Sequence, residues 1–191
     1  KVEINRSGRM VQESINTGAG VVQVSFGNAD EVMRLYGQDL LLVVGDFVSL
    51  RGDFTFERGV SGVTTQLRLG ATGVSAALTA GGVGVEVSAA SLAMIVLQSE
   101  GGTRYALSAY GTGALLGVEG VTLTGSVGVR VNTTGEAVSE TVGGVALVFD
   151  DGTAIKRFEG HDLALDLSGL VVVTGDLVFA QQGEGQSKQI L

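Results

Sequence analysis

Apolar and polar residues alternate over long stretches of this chain. From Val121 to Asn132 one side carries Val121, Leu123, Gly125, Val127, Val129 and Val131, and the other carries Thr122, Thr124, Ser126, Gly128, Arg130 and Asn132. Side chains that alternate with period two leave a strand on opposite faces, so this stretch predicts a half-buried strand with an apolar inner face. Phe47 to Arg58 places Val48, Leu50, Gly52, Phe54 and Phe56 inside, with Ser49, Arg51, Asp53, Thr55 and Glu57 outside. Val171, Val173, Gly175, Leu177 and Phe179 follow the same inner pattern. Val83 to Gln98 predicts one long strand, or two meeting near Ala89 and Ala90. Companion strands are predicted over Glu31–Val44, Ala154–Leu167, Gln66–Leu78 and Arg104–Leu116. Turns are expected at Gly27-Asn28, Gly81-Gly82, Gly101-Gly102, Thr134-Gly135 and Asp151-Gly152. Ala76–Ala80 and Ala89–Met94 have helical propensity, but the Gly and Val around them argue for strand.

The pattern also recurs. Shifted by 123 positions, Gly20–Phe56 aligns without a gap on Gly143–Phe179, and 12 of the 37 pairs are identical. Among these are Arg34/Arg157, Gly37/Gly160, Asp39/Asp162, Leu40/Leu163, Gly52/Gly175, Asp53/Asp176 and Phe56/Phe179. Each long strand has a small residue at its middle, at Gly52, Ala89, Gly125 and Gly175. A glycine inside a strand marks a bend or bulge, so a corner is expected in every long strand. The spacings 37, 36 and 50 between these points make up the 123-residue period and divide it into three smaller modules. The predicted fold is therefore all-β, an elongated repetitive architecture that is either solenoid-like or a continuous wrapped sheet. Residues 20–142 form one full unit and 143–191 begin the next. Residues 1–19 end a preceding unit or fray, and Gln181–Gln189 is expected to act as a linker.

Composition narrows the function classes. Apolar residues make up 45%, enough for a core, while 31 glycines with no proline favour strands and tight turns over disorder. The net charge of −8 disfavours binding to nucleic acid or anionic lipid. Cysteine is absent, which removes disulfides, thiolate metal sites and a cysteine nucleophile. No stretch of about 20 apolar residues predicts a transmembrane helix. Ten aromatic residues are too few for the girdles of an outer-membrane barrel, which is kept as a lesser alternative.

The candidate chemistry is sparse. Asp39, Asp162, Asp53 and Asp176 are the acids shared by the two copies, and they are candidate Ca²⁺ ligands. Asp150-Asp151-Gly152 and Asn28-Ala29-Asp30 supply further oxygens, although neither loop has calcium-loop spacing. Two other readings compete: the aspartates cap turns, or they pair with arginine, Arg34 with Asp39 and Arg157 with Asp162. Arg51-Gly52-Asp53 spells an integrin tripeptide but falls mid-strand, and its copy reads Thr174-Gly175-Asp176. His161 is the sole histidine and Gln38 is its counterpart, so no triad or histidine zinc site is expected. Asn132-Thr133-Thr134 fits a glycosylation sequon.

Through Val48–Phe56, Val121–Gly135 and Val171–Phe179 the chain resembles the tandem repeat regions of giant secreted or cell-surface bacterial proteins, loosely termed adhesin-like. The resemblance implies an extracellular stalk, surface layer or filament with an adhesive or self-assembling role, and adjacent copies of the same repeat as partners, joined end to end. No enzyme is expected, because the clustered acids or bases with aromatic platforms that a polysaccharide lyase on a β-helix needs are not apparent in the sequence. Members of such families often bind Ca²⁺. The alternative is a carbohydrate- or surface-binding module using the polar positions Thr122, Thr124, Thr133, Ser49 and Thr55.

Overall fold

A computed structural model describes residues 1–27, 29–44, 48–61, 63–80, 82–183 and 189–190. Among them are fourteen strands and no helix. The strands are β1 (Val2–Asn5), β2 (Val11–Asn16), β3 (Val21–Phe26), β4 (Glu31–Val44), β5 (Val48–Ser61), β6 (Thr64–Ala80), β7 (Val83–Ser99), β8 (Gly102–Leu116), β9 (Val121–Asn132), β10 (Val138–Val142), β11 (Val145–Phe149), β12 (Ile155–Leu167), β13 (Val171–Gln182) and β14 (Gln189–Ile190). Ten of them form one antiparallel sheet in the order β1-β4-β5-β6-β7-β8-β9-β12-β13-β14. The pairs β2–β3 and β10–β11 are separate hairpins, inserted after β1 and after β9.

The predicted strands fall within three residues of β4 to β9, β12 and β13, with β5 and β13 each running three residues past the predicted end. Val83–Gln98 is one strand rather than two. Within the N-terminal segment Val2–Asn5 pairs with Leu35–Val32 at the edge of the sheet. The expected linker also pairs at its ends, with Gln181 opposite Ile190 and Gln182 opposite Gln189. Asn28, Gly81 and residues 184–188 lie outside the described residues, as do the side chains of Val48, Ser49 and Leu50.

The expected corner is present. Register shifts occur between Gly37 and Leu40, between Arg51 and Asp53, between Ala71 and Ala76, between Ser88 and Ser91, and between Gly160 and Ala164. Three non-glycine residues on this line adopt left-handed backbone, Asp39 and Ala89 at φ 50° and Asp162 at φ 51°. Extra residues of this kind bend a sheet. The small residues leave room for side chains that fold across the bend. A Cβ on Gly37 would strike the Leu40 side chain, one on Gly160 or Gly125 would strike Leu163, and one on Gly52 would press on Val74. The identical pairs Gly37/Gly160 and Leu40/Leu163 thus have one steric cause.

The two faces differ in chemistry as the alternation predicts. One cross-strand row reads Leu35, Phe56, Leu69, Met94, Leu107 and Val131. The matching row on the other face reads Glu3, Arg34, Glu57, Arg68, Ile95, Ala106 and Asn132. What differs from expectation is which face is buried. Leu35 is 44% exposed, Phe158 41% and Phe179 64%, so the apolar face is open among the described residues. Val87 on one side of the bend and Val129 and Phe158 on the other line one apolar hollow, which places this face on the inside of the bend. The packed core lies on the polar face, where β10–β11 covers Ala93, Ile95 and Ala106.

Candidate self-association interface

The hairpin β10–β11 is built by alternation around Gly143-Gly144. Val138, Glu140 and Val142 pair with Phe149, Leu147 and Val145 on one face. Both glycines have positive φ, 57° and 83°, as a tight two-residue hairpin turn requires. Five apolar residues of this face, Val138, Val142, Val145, Leu147 and Phe149, enclose Ala93, Ile95 and Ala106, and Leu147 is fully buried. Two-stranded hairpins are marginal alone, so this contact holds the element in place. The hairpin tip lies directly on β6, where a Cβ on Gly70 would collide with the Val142 carbonyl. Arg68 fixes the register with Nε on Glu140 Oε2 and Nη1 on Glu57 Oε1, both at 2.8 Å. Burial pulls the Arg68 guanidinium down, but Glu140 and Glu57 outweigh it and hold it above its ordinary value. Arg34 bonds the second Glu57 oxygen and extends the network across β4.

At the base of the hairpin Asn132 is fully buried. Its Nδ2 donates to the Glu136 carbonyl, and its Oδ1 accepts from the Thr134 N–H at 3.0 Å and hydroxyl at 2.7 Å. The Thr134 hydroxyl also meets Glu136. The sequon asparagine is therefore a structural residue that a glycan could not reach. The same bonds recur at β1: Asn5 Nδ2 donates to the Arg9 carbonyl, and Asn5 Oδ1 accepts from the Ser7 N–H at 3.1 Å and hydroxyl at 2.7 Å. Gly8 and Gly135 follow with φ of 65° and 77°.

The correspondence continues through both hairpins. Val11, Glu13 and Ile15 pair with Phe26, Val24 and Val22. These are the positions of Val138, Glu140 and Val142 against Phe149, Leu147 and Val145. The offset is 127 for β1 and β2 and 123 from β3 onward, because the first hairpin loop is four residues longer. It reaches the other end of the sheet, where Arg58–Leu67 and Gly59–Gln66 become Gln181–Ile190 and Gln182–Gln189. The exposures differ. Ile15 and Val22 are 52% and 50% exposed, whereas Val142 is 4% exposed. Sequence reasoning missed the whole N-terminal match, because the longer loop ends the gapless alignment at Gly20. The signals that could have found it are Asn-x-Ser/Thr-Gly and Val-x-Glu-x-Ile/Val.

The shared aspartates lie on the bend. Asp53 Oδ1 accepts the Asp39 N–H at 2.8 Å, and Asp176 Oδ1 accepts the Asp162 N–H at 2.8 Å. Each thus satisfies a backbone group at a left-handed residue, which is the turn-capping reading. Asp39 pairs with Arg51 through two bonds of 2.5 and 2.7 Å, and the Arg51 guanidinium holds its carboxyl below the usual range. The expected Arg34–Asp39 and Arg157–Asp162 pairs do not form, because Arg34 and Arg157 point along the polar face to Glu57 and Glu159. Among the described residues no three His, Asp or Glu side chains converge as metal ligands. Asp151 bonds the Thr153 N–H at 2.8 Å. His161 stands 3.8 Å from Asp176 and 3.9 Å from Glu159. Arg51-Gly52-Asp53 lies mid-strand with Gly52 buried. Thr55 lies beneath Gly143 and Thr133 bonds Tyr105, so these two do not join Thr122 and Thr124 in a flat exposed ladder.

The fold defines an all-β chain built on one large antiparallel sheet. No family model, curated protein or solved structure matches it.

Proposed function

We propose that this chain is a structural repeat segment of a large extracellular protein, extending a continuous β-sheet within a stalk, surface layer or filament. The observation that carries this reading is the identity of its two ends. β1 and its hairpin match the end of β9 and its hairpin, while β13–β14 match β5 and the start of β6, so each edge of the sheet has the register of an interior strand. Open edges that carry interior registers are templates for another copy. The unit of 123 residues, in three bent modules, adds six strands to the sheet, from β4 to β9. The bend turns the apolar face inward, which supports a continuous wrapped sheet over a solenoid of separate turns. Self-association is end to end, with adjacent copies as partners.

Negative-stain electron microscopy of a chain of three or more units, with and without EDTA, tests this. Long uniform fibres in both conditions are expected, since Asp39, Asp53 and Asp176 already bond protein groups. Fibres that collapse in EDTA would make the four aspartates metal ligands, and compact particles in both conditions would end the filament reading. A second reading, the wall of a membrane barrel, is favoured by one observation, the open apolar face of Leu35, Leu67, Phe158 and Phe179. It requires detergent for solubility, which a sedimentation comparison with and without detergent detects.

A further inference from the structure

We propose that the β2–β3 hairpin is a clamp that seats on the polar face of an upstream copy of the same unit. The proposal rests on the reading above that units adjoin through their sheet edges, and it adds the element that locks them. The chain holds an occupied counterpart of this hairpin. β10–β11 leaves the sheet after β9, folds back over β8, β7 and β6, and buries Ala93, Ile95 and Ala106. β2–β3 leaves the sheet after β1, which pairs with β4 as the end of β9 pairs with β12. Its equivalent target is the β6–β8 surface one unit upstream.

The hairpin presents the chemistry that surface takes. Val11, Ile15, Val22, Val24 and Phe26 stand where the core-forming side chains of β10–β11 stand, and Glu13 stands where Glu140 meets Arg68. At the tip Ile15, Val21 and Val22 are 52%, 62% and 50% exposed, with no cover among the described residues, whereas Phe26 at the base is already buried. β1 lies at the outer edge of the sheet. In the β8–β9 register Ala106 faces Asn132 and Ser108 faces Arg130, so Asn5 would face Ala106 and Glu3 would face Ser108 of the upstream copy. The docked hairpin then brings Glu13 to the upstream Arg68 and lays its tip on the upstream Gly70, the residue that leaves space for Val142.

The test uses residues 2–191 preceded by residues 1–128 of a second copy, so that Gly128 joins Val2 and completes the intervening β9. Hydrogen exchange is read at the β2–β3 amides of the downstream copy and compared with the chain alone. Docking should slow exchange there by at least about tenfold. Ile15→Asp in the downstream copy should abolish the gain, while in the single chain it should leave the melting temperature unchanged. The chain has no cysteine, so Glu13→Cys downstream and Arg68→Cys upstream report contact through a short bis-thiol reagent. Glu140→Cys with Arg68→Cys in the single chain calibrates the yield. Protection together with cross-linking at the calibrated yield supports the clamp. Unchanged exchange without cross-linking in a tandem whose scattering shows a lengthened particle overturns the clamp and leaves the shared sheet standing. The same result in a particle that has not lengthened overturns both.

Discussion

Truncating Leu147 to alanine isolates the contact on which the hairpin account depends. Leu147 is fully buried between Ala93, Ile95, Ala106, Val138 and Phe149. Leu→Ala at such a site loses about 3 kcal/mol, within a range of 2–5, from lost transfer energy plus the cavity left behind. A two-stranded hairpin contributes little stability of its own, so the loss falls first on its docking. About 3 kcal/mol at ~1.4 kcal/mol per tenfold corresponds to a drop of about a hundredfold in local protection. Native-state hydrogen exchange at the β10–β11 amides reads this directly. Val24 is the matching residue in the first hairpin and is only half-buried, so Val24→Ala should lower protection in this chain by less than about 1 kcal/mol. The two substitutions share chemistry and backbone position and differ in what lies beneath. If Leu147→Ala changed exchange by less than about threefold, or if Val24→Ala matched it, the reasoning that burial on the sheet holds the hairpin would be wrong.

Gly70→Ala should lift the hairpin tip, because its Cβ would enter the Val142 carbonyl, and should lower stability in urea by about 1–3 kcal/mol; an unchanged midpoint would rule out the close approach. Ala89 has φ 50° and Ala90 does not, so Ala89→Gly should be more stable than Ala90→Gly by about 1 kcal/mol in the same assay, and the reverse order would refute the bulge geometry. Burial pushes the Glu159 carboxyl up, but bonds from Arg157 and Tyr110 outweigh it and hold it below its ordinary value. A depressed folded value stabilises above the ordinary range, and that stability is lost as pH falls through it. The stability difference between the native chain and Tyr110→Phe should therefore be largest above about pH 5 and shrink toward about pH 3, and a pH-independent difference would exclude the Tyr110–Glu159 bond.

Much of the sheet was legible because period-two alternation is a local signal that tertiary packing here did not override. Val121–Asn132 and Phe54–Glu57 segregate their side chains as their patterns require. The bend was legible from Gly52, Ala89 and Gly125, since mid-strand small residues have few other uses. Burial was not legible, because alternation distinguishes two faces without saying which is covered. The cover is Val138–Phe149, and its Gly143-Gly144 turn and alternating flanks were short enough to pass as loop. The carboxylates show a related limit. Repetition singled out Asp39, Asp53, Asp162 and Asp176, but sharing a position across copies fits a backbone cap at a bulge as well as a ligand. The Arg68–Glu140 pair spans 72 positions and has no local signature at all.

The central claim is that units add strands to one sheet, and small-angle scattering of chains with one, two and three units tests it most directly. Six strands per unit at a spacing of about 4.8 Å predict a maximum dimension that grows by about 29 Å with each unit while the cross-section stays constant. A maximum dimension that rises only with the cube root of mass, with a widening cross-section, would show that the units collapse into separate globules and would contradict the account.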